Sequence, residues 1–405
     1  MRVTGRKWNH LPIRRFNNSS RQGRVGDWPM ASENNNTTDD EETQALDPFT
    51  VAVDTLRRGK YRESLGGVNP TGASARMINE RGEETLVGKC LRQVWYSKKR
   101  VPRTNPANDN AQFIFMMGNM AEEGLQDAWR KAGVLLEENA KIRANIAKNP
   151  STDDEIMLSG EVDAIVRMTT METDANGVSR MRIDPTKAIG IEVKSKWGYG
   201  AKAVMQGNKG STYEHGYPQI EHLMQTALYL HTRKAFEDFH NVEIPYFIIC
   251  YIARCNGLHK SFRVELSDGY EGRIIVKDMN GNELKPKAEK SLDWGVQAQQ
   301  MELTIDMMRE RYYQQIENLK ADTPPPRDFD LRYSDEKAEA LFERGELSKT
   351  KYNEHGKKPL AEIGDWNCSY CDWKGVCYPQ GIFTIPVEDG VLTIDEALAN
   401  YSVGE

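Results

Sequence analysis

The sequence predicts an α/β fold, with elements in the order helix, strand, strand, helix, strand. Three observations predict it. From Phe113 to Ala132 apolar residues (Phe113, Met116, Met117, Met120, Leu125, Ala128, Trp129) recur every three to four positions, the spacing of one helix face, and Gly133 suits its stop. The stretch "IMLSGEVDAIVRM" reads as a strand, and across the turn signal "DANG" at Asp174 to Gly177 the chain returns as "AIGIEVKSK", an antiparallel pair. Tyr217 to Phe236 is again helical, and "IPYFIICYIA", Ile244 to Ala253, is apolar enough for a buried strand.

The flanking regions are assigned in the same way. Residues 1–50 read as a disordered tail: Met1 to Arg24 holds seven Arg or Lys and no acid, and "ASENNNTTDDEET" follows. Neither part can bury enough apolar surface to offset its ordering entropy. The basic part suits a DNA-tracking arm, a mitochondrial targeting segment, or a floppy tail upstream of a start at Met30. Residues 51–110 form an N-terminal helical, basic segment, and 111–290 form the core. Within the core, "KSFRVEL" and "GRIIVKD" flank "SDGYE" as a hairpin. Residues 291–325 carry a long helix from Asp293 to Lys320, broken by "TPPP" at Thr323 to Pro326. Residues 326–405 are a loop-rich cysteine segment and tail.

At 405 residues the chain has room for one large domain or two, and no internal repeat marks a solenoid. No apolar run reaches the length of a membrane span, and no secretion signal is visible, so a cytoplasmic protein is expected. A net charge of −6 argues against whole-surface attraction to nucleic acid but allows a local basic groove.

The polar residues inside apolar elements carry the chemistry. Asp163 sits mid-strand in "GEVDAIV", and Glu192 and Lys194 share one face of the strand that returns beside it. Two converging acids, with the Val193 carbonyl, make a hard oxygen site suited to Mg²⁺ or Mn²⁺. Lys194 beside such an ion suits phosphodiester hydrolysis, by orienting water or steadying charge on the phosphate. Glu161 shares the face of Asp163 and is a substitute ligand. The bland alternative is an edge strand with a solvated Glu–Lys pair.

The spacing Asp163…Glu192-Val193-Lys194 resembles the D…(D/E)-x-K signature of the restriction-endonuclease-like PD-(D/E)XK nuclease superfamily. Two further matches follow in order. "QTALY" puts Gln225 and Tyr229 four apart, as in the Q-x-x-x-Y of the RecB-like branch, and "GNMAEEG" puts Gly118 and Glu122 four apart. The resemblance implies that Gln225 lies near the metal, that Tyr229 contacts the DNA strand, and that Glu122 is a ligand or close to one. Glutamate at 122 is similar to phage and viral recombination exonucleases and departs from relatives that carry histidine there.

Of six cysteines, three form Cys368-x-x-Cys371-x5-Cys377, a metal-binding spacing that needs a fourth thiol from Cys90, Cys250 or Cys255. Cys250 reads as a core thiol, and Cys255 lies in a loop. One early cysteine, Cys90, with this late cluster resembles the iron–sulfur nucleases of the AddB type and of CRISPR adaptation. That likeness implies a [4Fe–4S] cluster joining the N- and C-terminal segments of the core; structural Zn²⁺ is the competing metal. "CLRQVWYSKKRVPR" is basic and aromatic, so Arg92, Lys98, Lys99 and Arg100 are candidate backbone contacts and the aromatics candidate base stackers.

The resemblance spans about Gly88 to Pro379. It implies a central mixed sheet flanked by helices and a metal-dependent DNA exonuclease acting at ends or on single strands. Such an enzyme works in recombination, replication or DNA processing, in a bacterial or phage-infected cell. Walker motifs are absent, so a helicase or recombination partner would be a separate chain. Two rivals stand: a non-catalytic DNA-end binding or assembly subunit, and a zinc-stabilised endonuclease of the same fold.

Overall fold

The computed structural model describes residues 67–78, 84–105, 107–150, 152–174, 176–207, 215–268, 272–284, 303–358 and 361–379. All of them belong to the compact unit Pro48–Glu405. The expected N-terminal tail lies outside the described residues.

A hairpin, β1 (Ser74–Ile78) with β2 (Glu84–Gly88), precedes helices α1 (Leu91–Lys98) and α2 (Asp109–Lys131). Strands β3 (Leu135–Lys148), β4 (Glu155–Thr173) and β5 (Ser179–Lys196) follow, then helices α3 (Gly198–Gln206), α4 (Ile220–His231) and α5 (Lys234–His240). Strands β6 (Phe247–Ala253), β7 (His259–Leu266) and β8 (Ile274–Lys277) complete one six-stranded sheet in the order β3-β4-β5-β6-β7-β8. Helices α6 (Ile305–Lys320), α7 (Asp335–Glu343), α8 (Lys349–Lys357) and the short turns α9 (Trp366–Ser369) and α10 (Lys374–Cys377) close the described chain.

The sheet is mixed. Neighbouring strands are antiparallel except β5 and β6, which pair in parallel from Gly190↔Phe247 to Lys196↔Ala253. Parallel neighbours need a crossover, and α3 to α5 supply it. Nearly all of α4 is buried, including Leu223, Met224, Ala227, Leu228 and Leu230, because it lies within the main core. On a second apolar layer Leu125 and Trp129 of α2 pack against Val134, Ala164, Val166, Ile191 and Val193. This is the α/β mixed sheet flanked by helices that the sequence predicts.

Several elements depart from expectation. β3 was not anticipated. The 51–110 segment holds a β-hairpin as well as a helix. The helix expected from Tyr217 to Phe236 is two helices, with Thr232 turning its hydroxyl back to the Leu228 carbonyl at 2.8 Å. The helix expected from Asp293 begins at Ile305, because Thr304 is extended and caps it through the Met307 N–H. Residues 285–302 lie outside the described residues. The C-terminal segment carries α7 and α8 where loops were expected. Among the described residues no helix is long and apolar enough to cross a membrane.

Candidate active site

The site grows from a fork in the sheet. The β4–β5 ladder runs from Thr173↔Ser179 to Ala164↔Ile191 and stops there. Beyond that point β5 stays paired with β6, while β4 stays paired with β3. The parting frees the Val193 N–H, and the Asp163 carboxylate accepts it at 2.6 Å. Val193 thus meets Asp163 through its N–H; its carbonyl, the metal oxygen proposed from sequence, is a separate group that this bond does not engage.

Glu192 stands next to this bond and is 1% exposed. Its Oε1 accepts from Lys194 Nζ at 2.5 Å and from Gln225 Nε2 at 2.6 Å. Its Oε2 is buried with no hydrogen-bond partner among the described residues. A buried acceptor left bare is costly. Burial raises the Glu192 pKa to about 8; Lys194 opposes this, while the charges of Asp163 and Glu122 add to it. Burial also raises Asp163, against the pull of Lys194. Burial pulls Lys194 down, but Glu192, Asp163 and Glu122 outweigh it, so its pKa is raised and the ammonium stays charged.

Gln126, buried on α2, organises the third acid. Its amide donates to the Asp163 carbonyl at 2.8 Å and to Glu122 Oε1 at 3.2 Å. Sequence reasoning missed Gln126. Its signal is its place one turn after Glu122, on the same helix face. A second polar chain also went unread: His222 bonds the Tyr251 hydroxyl at 2.8 Å, that hydroxyl accepts the Gln219 N–H at 3.1 Å, and Lys196 donates to the Gln219 side chain. Burial, then the Lys196 and Lys194 charges, push His222 well below its usual range, so it is neutral.

Tyr229 requires a correction. It is 2% exposed, its hydroxyl donates to the Glu161 carbonyl at 2.8 Å, and that oxygen accepts the Glu161 N–H at 3.3 Å. It clamps β4 two residues before Asp163 and cannot reach a DNA strand. Gly160 is small for the same reason, since a Cβ there would lie 2.9 Å from the Tyr229 ring and hydroxyl.

The basic helix α1 also differs from expectation. Arg92 is 1% exposed, with Nε on the Pro325 carbonyl at 2.6 Å, and so is no backbone contact. Trp95 and Tyr96 are buried with Val101, Trp373 and Val376, so neither stacks a base. Lys98 donates to the Gly67 carbonyl at 2.8 Å, and Lys99 lies 3.8 Å from Asp322. Arg100 is exposed, in a left-handed backbone conformation.

Cys90, Cys368, Cys371 and Cys377 line one pocket with Arg92, Arg327 and Tyr378, whereas Cys250 and Cys255 do not line it. Trp373 Nε1 donates to the Val101 carbonyl at 2.8 Å, and Asn367 to the Gly88 carbonyl at 3.1 Å, so the early and late segments meet here. Arg327 Nε lies 3.4 Å from Cys377 Sγ, and Arg92 Nη1 lies 3.9 Å from it. Burial pushes Cys90 up to about 11 and Cys371 up to about 12, with the Cys377 charge adding to both.

Among the described residues, no three of His, Cys, Asp and Glu stand close enough to hold a metal ion as placed. The donor sets fit metals nonetheless. The bare Glu192 Oε2, with the charges of Asp163 and Glu122 acting on it, offers oxygens of the kind a hard divalent ion takes. Four thiols in one pocket, with two guanidiniums at Cys377, suit an anionic thiolate centre.

No family model matches this chain, and no curated protein does. Among solved structures, that of SSO0001 is 15% identical and aligns over 53% of this chain and 74% of its own, with a TM-score of 0.29. A likeness at that level carries no argument about fold or activity.

Proposed function

We propose that this protein is a metal-dependent DNA exonuclease with a restriction-endonuclease-like core, hydrolysing phosphodiester bonds at DNA ends or on single strands. One observation carries the reading. A fully buried glutamate, Glu192, holds a lysine and a glutamine on one oxygen and leaves the other bare beside Asp163. A merely structural ion pair has no need of the bare oxygen or the second acid.

Asp163, Glu192 and Glu122 would hold Mg²⁺ or Mn²⁺, which when bound supplies Lewis acidity toward the phosphate and the attacking water. Gln225 and Lys194 fix the Glu192 carboxylate, and Gln126 fixes Glu122 and the Asp163 backbone. Lys194, kept charged by its acids, faces the negative charge that builds on the phosphate. Tyr229 holds β4 in register beneath Asp163. Cys90, Cys368, Cys371 and Cys377 would hold a [4Fe–4S] cluster that fastens the two ends of the core; Zn²⁺ is the other ion this donor set takes. DNA processing, recombination or replication is the fitting setting, with any helicase supplied by a separate chain.

The test uses anaerobically purified wild type and Lys194→Ala, Mn²⁺ or Mg²⁺, and two DNAs, one linear and one covalently closed. Loss of the linear DNA alone, with wild type alone, is the expected result. Cleavage of the circle makes the protein an endonuclease. An active Lys194→Ala variant removes the site assignment.

A further inference from the structure

The base-stacking aromatics expected on α1 are buried, yet an exposed aromatic stands elsewhere, beside the fork. β5 ends at Lys196, and the next residue, Trp197, is 62% exposed. It lies three residues beyond Lys194, about 10 Å by strand rise. Large aromatics left in water beside charged groups mark binding surfaces more often than scattered apolar residues do.

The neighbours of Trp197 extend the surface. Arg254, just past the end of β6, donates its N–H to the Lys196 carbonyl at 2.9 Å and its guanidinium to the Ile114 carbonyl of α2 at 2.7 Å. Arg254 therefore ties the end of β5 to the first turns of α2. On those turns Ile114 is 43% and Phe115 is 56% exposed.

Helix α2 links this surface to the carboxylates. Its Glu122 acts on the charges of Glu192 and Lys194. One turn earlier lies Gly118, where a Cβ would stand 3.1 Å from Ser195 Oγ. One turn earlier again, Ile114 meets Arg254. The helix thus runs alongside the end of β5, with Glu122 by the acids, Gly118 at Ser195, and Ile114 at Arg254, whose N–H holds the carbonyl just before Trp197. A larger residue at 118 would intrude between helix and strand.

Resting on the nuclease reading above, we propose that Trp197 and Phe115 form a stacking platform that seats unpaired nucleotides of a DNA strand whose phosphate lies at Glu192 and Lys194. The substrate end is therefore single-stranded. The charge pattern favours this occupant: the Arg254 guanidinium, tied to the Ile114 carbonyl, supplies a cation at the platform's edge, and bases offer faces for its rings. In a duplex those faces are stacked on one another and unavailable.

The test is metal-free binding by the full chain, in chelator, followed by fluorescence anisotropy of a labelled oligo-dT and of a duplex of equal length. Trp197→Ala should weaken oligo-dT binding about 5- to 150-fold, the range for losing one base–aromatic stack. Duplex binding should stay as in wild type. Trp197→Phe should restore most of the loss, and Phe115→Ala should show a smaller loss in the same direction. Unchanged circular dichroism and melting temperature keep the comparison between folded proteins. Equal oligo-dT affinity of wild type and Trp197→Ala overturns the platform while leaving the nuclease reading intact. Parallel loss of oligo-dT and duplex binding overturns it too, since stacking is specific to unpaired bases. A wild type that binds neither DNA overturns both readings. A shift from dimer to monomer by light scattering, with DNA affinity unmoved, makes the patch a self-association surface and also overturns the proposal.

Discussion

Replacing Glu192 with glutamine should make the metal-free protein more stable, and increasingly so at high pH. Burial keeps Glu192 protonated up to about pH 8, against 4.5 for an ordinary glutamate. The unfolded chain releases that proton at the ordinary value, so ionisation favours unfolding as pH rises from 4.5, and the penalty is complete above 8. Each pH unit of that gap is worth ~1.4 kcal/mol, so the full penalty approaches about 5 kcal/mol. By the same relation ~1.4 kcal/mol of it is already present at pH 5.5. Glutamine has the same shape, keeps an oxygen for Lys194 and Gln225, and never ionises. Urea unfolding in chelator should therefore show Glu192→Gln gaining about 3 kcal/mol more over wild type at pH 9 than at pH 5.5. A gain that does not change with pH, or a variant less stable than wild type at pH 9, would refute the picture of a strained, buried carboxylate. The same variant should cleave no DNA, since a neutral amide is a poor ligand for a hard ion.

Other expectations follow from the same geometry. Tyr229→Phe loses the bonds to the Glu161 backbone and should cost about 1–3 kcal/mol in urea unfolding with oligo-dT affinity unchanged; a specific loss of DNA binding would restore Tyr229 as a strand contact. Gly190→Ala would push a Cβ to 2.3 Å from the buried Phe247 ring and should cost about 1–3 kcal/mol; a neutral melting temperature would contradict the packing of β5 on β6. Wild type purified without oxygen should be brown and carry about four iron and four sulfide per chain, and Cys371→Ala should carry neither. Zinc bound at one equivalent in colourless wild type would assign the pocket to a structural zinc site instead.

The parts of this fold that could be read in the sequence are those where one signal stood alone. β4, β5 and β6 are strongly apolar, and the turn at Asp174 punctuates them. β3 was hidden by its composition. "LLEENAKIRANIAK" is rich in Ala, Glu and Lys, which favour helix, although Ala140, Ile142, Ala144 and Ile146 alternate as a half-buried strand should. At the site, the acids and Lys194 were legible because charges inside apolar strands demand a reason. Gln126 and His222 were not, because a polar residue on a helix declares nothing until its neighbours are known. Tyr229 and Arg92 failed in the opposite direction. Their residue types suit nucleic acid, but a Tyr hydroxyl and a guanidinium can equally be consumed by backbone carbonyls inside a core, and only packing decides between the two.

The meeting of the early and late segments sets an order of events in time. Asn367 reaches the Gly88 carbonyl across 279 residues of chain. At ~10 residues per second of synthesis, Cys90 leaves the ribosome on the order of half a minute before Cys368 does. Throughout that interval the first thiol waits without its partners while the sheet between them is being built. The pocket the four sulfurs line has its full set of thiols only once Cys377 has been made. A stalled or truncated chain would therefore expose a solitary cysteine.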